Sequence, residues 1–187
     1  MDDEKFGPLS FLVGEWESKG WTGENKALDP DREEENTKFR QIMSFTPIDD
    51  VENHEQVLCV LRYSTTAWEE GDENPFHEEV GYWIWDAENK QVMKSFIVPR
   101  GISVNAGGTS TETAKSFKVQ AKVGSDTYSV ASNLFLDREF KTLQYDLEVT
   151  QLNEQTFRYS EDTQIKMKGR PEIFHHTEKN TMVKIHK

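Results

Sequence analysis

The chain is predicted to be all-β: one antiparallel up-and-down barrel of about ten strands, opened by a short N-terminal helical turn. Three observations lead there. Apolar and polar residues alternate with period two over most of the chain. Turn clusters rich in Gly, Asp, Asn and Pro recur roughly every 8–15 residues. No long amphipathic helix lies between the alternating runs, which excludes parallel βαβ units. A sheet of this size without covering helices closes on itself, and closure removes its exposed edges. Residues 1–187 are read as one domain, because the length fits a single core and no linker or repeat interrupts it.

Composition supports a thin-walled β protein. The hydrophobic fraction is only 35% and mean hydropathy is −0.78, yet 11 Phe, 5 Trp and 5 Tyr supply enough buried area for a core. Strands with one face to water need fewer apolar residues than a doubly buried sheet. A formal net charge of −12 repels phosphate backbones and anionic lipid, so neither nucleic acid nor a membrane surface is an expected partner. No window approaches the ~20 apolar residues of a spanning helix. The lone Cys59 forms no intramolecular disulfide, and the first residues show no secretory pattern, so a cytoplasmic location is expected.

In chain order, Met1 to Lys5 is acidic and read as frayed, and Pro8-Leu9-Ser10-Phe11-Leu12-Val13 forms the helical turn, placed to plug a barrel end. Residues 14–21 alternate Trp16, Ser18 and Gly20 against charged neighbours and make the first strand, with glycines marking bends. Residues 24–36, with the run Asp29 to Glu35, have no period and are read as a solvated loop. Strands follow at residues 37–45 and 55–68 around the Pro47-Ile48-Asp49-Asp50 turn. Hairpins then run through residues 76–85, 91–98 and 102–106, and further strands fit at 116–122, 128–133, 143–150 and 156–167.

Residues 169–185, GRPEIFHHTEKNTMVKI, carry two adjacent histidines ahead of the last apolar alternation. Thr181, Val183 and Ile185 fall on one strand face, and His175 shares their parity while His176 points the other way. If that face looks inward, a neutral His175 imidazole at the mouth of a cavity is placed to bind haem iron. The plainer alternative is a strand-end pair with no ligand. The second dense stretch is Pro75-Phe76-His77-Glu78-Glu79-Val80-Gly81, where His77, Glu79 and Gly81 share a face; His77 with Glu79 is a candidate acid/base pair or a structural one. Trp16, Phe76, Trp83, Trp85 and Phe96 are candidates for a cofactor pocket or for ordinary core. His77, Glu79 and His175 have the chemistry of a zinc site, although no spacing brings them together.

Three stretches, in order, resemble the nitrobindin-like haem-binding β-barrel family, whose fold is similar to fatty-acid-binding proteins. Gly14-Glu15-Trp16-Glu17-Ser18-Lys19-Gly20 is similar to the family's Gly-x-Trp-x-Gly-x-Gly, with Ser18 in place of the middle glycine. Pro75-x-His77-x-Glu79-x-Gly81 matches the family's Pro-x-His-x-Glu-x-Gly strand throughout. Pro171-Glu172-Ile173-Phe174-His175 resembles its proline followed four residues later by the proximal histidine, and Ile165 stands where the family usually has methionine. The resemblance implies haem b with His175 on the iron, and Trp16, His77, Glu79 and Ile165 around the cofactor. A bulge would exchange His175 for His176. It further implies nitric oxide binding and isomerisation of peroxynitrite to nitrate at ferric iron. The alternative in the same barrel is a non-haem carrier of an apolar small molecule.

Overall fold

The alternation closes into a barrel whose two ends differ in chemistry. A computed structural model describes residues 3–29 and 31–185. After a 3-10 helix at Asp3–Leu12 come β1 (Gly14–Ser18), β2 (Gly23–Leu28), β3 (Glu34–Pro47), β4 (Val51–Asn53), β5 (Gln56–Glu69), β6 (His77–Asp86) and β7 (Gln91–Val98). The rest is β8 (Ile102–Thr109), β9 (Ser116–Lys122), β10 (Val130–Ser132), α1 (Leu134–Glu139), β11 (Phe140–Asn153), β12 (Thr156–Met167) and β13 (Ile173–Lys184). All pairings are antiparallel, and β1 and β2 share one position between β3 and β13, so ten strand positions close the ring. The break between β1 and β2 holds Gly20 at φ 72°, a left-handed conformation that glycine adopts without a Cβ penalty.

The 3-10 helix caps one end. Phe6, Leu9 and Leu12 are fully buried against Trp16, Leu61 and Trp85, and the Trp16 indole donates to the Leu12 carbonyl at 2.7 Å. Trp16 also meets Phe157 edge to face, with centroids 4.7 Å apart. Of the expected frayed start, residues 3–5 belong to this helix, and Met1 and Asp2 lie outside the described residues. The opposite end is the mouth, where β6 and β13 begin and β2, β5 and β12 finish.

Three expectations are corrected. Residues 24–28 and 34–36 are strand, not loop, and a turn closed by the Arg32 amide on the Asp29 carbonyl joins them: β2 and β3 pair through Gly23↔Phe39 to Leu28↔Glu34, because backbone pairing does not depend on an apolar face when both strands border the mouth. The strand expected at 128–133 shortens to β10, and helix α1, which the alternation did not announce, follows it; Asn133 caps the helix, accepting from the Leu136 amide at 3.0 Å. The inward face of β13 is also the reverse of the one expected. Met182 is fully buried and Asn180 is 4% exposed, whereas Thr181 faces solvent. Register against β1 decides this, since inward Ser18 pairs with Met182 and inward Trp16 with Lys184. Lys184 covers the core with its stem, its Nζ 5.3 Å from the Trp16 ring centre. Asn180 is satisfied inside by Ser18 Oγ at 2.9 Å, so an amide holds a position that an apolar pattern alone gives to Val183.

Met182→Ala is expected to cost about 2–5 kcal/mol of stability and Thr181→Ala within about 0.5 kcal/mol. Urea denaturation of both variants checks the reversed face, and equal costs would contradict it.

Candidate functional site at the barrel mouth

Alternation on β6 sends His77, Glu79, Gly81, Trp83 and Trp85 inward, and register sets Lys94 of β7 directly beside Trp83. Lys94 is 3% exposed in the middle of the barrel. Its Nζ donates to Glu79 Oε2 at 2.9 Å and to the Tyr145 hydroxyl at 3.0 Å, and sits 3.9 Å from the Phe96 ring centre. The Tyr63 hydroxyl donates to the same Glu79 oxygen at 3.0 Å, and Tyr145 donates to Glu161 Oε2 at 2.9 Å. The Tyr159 hydroxyl donates to Gln41 Oε1 at 2.7 Å and lies against the Glu178 carboxyl. Glu161 and Glu178 are direct cross-strand partners on the inner face. The interior is therefore a connected polar layer, with ions that are paired and hydrogen-bonded.

Burial and charge divide the titrating groups. Burial would raise Glu79, but Lys94 and His77 hold it down at about 2. Burial would lower His77, but its hydrogen bond with Glu79 (3.3 Å) and that carboxylate's charge raise it to about 9. Burial raises Glu161 to about 7 against the pull of Lys94, with Glu178 and Glu79 adding to the rise. Burial, and then the charges of Glu79 and Glu161 respectively, keep the Tyr63 and Tyr145 phenols protonated.

At the mouth, the two histidines of β13 separate. His175 is on the outer face, its side chain 51% exposed, with Nδ1 2.7 Å from Asp162 Oδ2. His176 points inward among Phe174, Glu178, Asn180 and Met182 on the same face of the strand. Its Nε2 donates to Asn25 Oδ1 at 3.0 Å, since an amide oxygen only accepts, and that tautomer leaves the lone pair on Nδ1. Burial, and then the nearby His77, lower His176 to about 4 and keep it neutral at physiological pH.

The family model for the THAP4-like, heme-binding beta-barrel domain matches residues 5–184. The chain belongs to this haem-binding family. The crystal structure of Rv2717c from M. tuberculosis superposes with a TM-score of 0.67 at 18% identity, covering 100% of this chain and 99% of that one, and so shares the fold. No curated protein matches. Family membership makes haem the cofactor of this barrel.

The donor set fits haem: one neutral, inward imidazole with its second nitrogen fixed by Asn25. The centre beneath does not admit a porphyrin, since the cavity among Tyr63, Glu79, Lys94 and Glu161 measures about 30 Å³. Of the residues singled out in the sequence, His77 and Glu79 meet at this polar layer, and Ile165 takes the inward parity of β12 near the mouth, opposite Phe174. Trp16 is not with them; it lies at the capped end. His175 lies outside the barrel, which also separates it from His77 and Glu79, and no group of three or more potential metal ligands gathers among the described residues. The polar layer itself escaped sequence reading. Its signal was a lysine between inward Val92 and Phe96, and an inward glutamate after Phe157 and Tyr159.

Lys94→Met should destabilise the fold by about 3–5 kcal/mol by leaving Glu79 buried without its cation, and adding Glu79→Gln should restore part of that in chemical denaturation. The His176 linkage has the opposite sign to a salt-bridged histidine. Its folded pKa of about 4 lies below the ordinary 6.5, so the unfolded chain takes up the proton first. Stability is then lost as pH falls from 6.5 towards 4, on the order of 2 kcal/mol at pH 5. Comparing wild type with His176→Asn at pH 7.5 and 5 reads that difference.

Proposed function

We propose that the chain binds haem b at the barrel mouth with His176, not His175, as the axial ligand. The observation that carries this reading is the inward, neutral imidazole of His176 held by Asn25. His175 has the motif spacing but spends its ring on Asp162 at the surface. A low proton affinity keeps His176 available as a lone-pair donor across the physiological range, and Asn25, itself donating to Thr37 Oγ1 at 3.3 Å, fixes the ring's orientation.

Bound haem supplies an iron able to take a small ligand such as nitric oxide. The resemblance extends the reading to isomerisation of peroxynitrite to nitrate, and the protein's own contribution to such an anion is charge. His77, raised to about 9, keeps a cation at the outer edge of the polar layer, one step along β6 from the Glu79–Lys94 pair. An apolar carrier is the weaker reading, because Glu79, Lys94, Glu161 and Gln41 line the centre where an acyl chain would lie.

Haemin titration followed in the Soret region tests the assignment. A saturable shift is expected for wild type and for His175→Ala, with at least tenfold weaker binding in His176→Ala. Loss in His175→Ala with retention in His176→Ala would return the ligand to His175 and overturn the proposal.

A further inference from the structure

The outer wall of the barrel has two different halves. Over β9, β11, β12, β13 and β2 it is charged and tied by ion pairs, among them Lys118–Glu148 at 3.2 Å and Lys179–Glu24 at 2.7 Å. Over β3, β5, β6 and β7 it is nearly bare of charge. The outward positions within residues 40–46, 62–68, 78–84 and 93–97 hold a single carboxylate, Glu78, in a chain with 34 Asp and Glu. Val80, Ile97 and Tyr82 stand out from this face at 59%, 54% and 43% exposure. Val80 and Ile97 are direct cross-strand partners, and Tyr82 lies two residues along β6 on the same side, so the three form one apolar patch. A shallow groove of about 400 Å³ lies between them and Ser44, Thr46 and Ser64.

On this face, large and small side chains are sorted by strand. Register places Ser44, Ser64, Val80 and Ile97 in one row, and Thr46, Arg62, Tyr82 and Ser95 in the next. A two-fold axis along the strands between β5 and β6 reverses the order of each row on a facing copy. Ser64 then meets the partner's Val80, Ser44 meets the partner's Ile97, and the Arg62 guanidinium meets the ring of the partner's Tyr82 as a cation over an aromatic face. Large falls on small at each level, which is the self-complementarity that an isologous contact requires. An unrelated protein or a lipid surface would impose no such order. Charge points the same way, because copies with a net charge of −12 repel each other and close approach is least opposed where carboxylates are fewest. We propose that two copies of this chain associate reversibly through the outer face of β3, β5, β6 and β7, about a two-fold axis along the strands between β5 and β6. Four strands ~4.8 Å apart, with three or four outward residues ~6.8 Å apart on each, cover roughly 20 by 24 Å. That is the lower end of specific interfaces, so the dimer exchanges with monomer.

Sedimentation velocity of the full chain across the micromolar range reads this association directly. Wild type is expected to move from monomer towards dimer as concentration rises. Ser64→Lys and Val80→Glu should each weaken self-association at least tenfold, because each buries an unpaired charge in the contact. Ser160→Glu, on the opposite wall, should leave it unchanged within twofold. An equimolar mixture of the Ser64→Lys and Val80→Glu chains should recover the dimer to within about threefold of wild type. Across the proposed axis, one of its two equivalent contacts becomes lysine on glutamate, and the other returns to serine on valine. Recovery in the mixture alone is an outcome that a damaged fold does not give. A wild type that stays monomeric throughout, self-association indifferent to both variants, or a mixture no better than its parts overturns the proposal. So does a monomer that floats with neutral lipid vesicles, which would assign the face to a lipid surface.

Discussion

The contact on which the structure most depends is the ion pair between Lys94 and Glu79, buried in the middle of a barrel that otherwise packs aromatic side chains. Taking two charges out of water is expensive, and their attraction compensates only when the remaining hydrogen-bonding positions are also filled. Here Tyr63, Tyr145 and His77 fill them, so the pair fixes side chains on β5, β6, β7 and β11 together and reaches β12 through Tyr145 and Glu161. A slip of one residue on any of these strands would turn its member of the network outward and leave a charge unpaired.

This layer divides the interior into two working halves. Towards the 3-10 helix the core is dry, with Trp16, Phe157, Leu12 and Leu61 in close contact. Towards the mouth, burial and then the charge of His77 keep His176 neutral. A barrel filled this way has no room at its centre for a long apolar guest.

Much of the architecture was legible because strand alternation is a local signal. Gln91–Val98, Ser116–Lys122 and Thr156–Met167 have the bounds that their patterns gave. The Pro75 to Gly81 stretch also showed its inward face, since His77, Glu79 and Gly81 alternate with exposed Glu78 and Val80. What failed depended on partners remote in sequence. The face of β13 is decided by register with Trp16 and Ser18, some 165 residues away in the chain, and a run of Thr, Met, Val and Lys reads equally well either way. The same reversal moved the inward histidine from His175 to His176. Helix α1 is too short, at six residues, to display a period. Lys94 and Glu161 interrupt the apolar alternation of their strands, but that break alone does not tell a buried charge from an exposed one, because their burial becomes tolerable only when β6, β7, β11 and β12 are side by side.

Closure itself has a kinetic side. The ring is completed by β1 and β2 pairing with β13, so a ribosome must release nearly the whole chain before the first strands find their final neighbour. Until then both flanks of a growing sheet present unpaired amides and carbonyls, the template on which chains stick to one another. Contacts this distant in sequence also form slowly, because the intervening chain must be ordered first. The surplus of acidic residues acquires a use in that interval. Nascent copies with a net charge of −12 when complete repel each other while their edges are open, and the same charge falls silent as a structural matter once the last strand locks the ring.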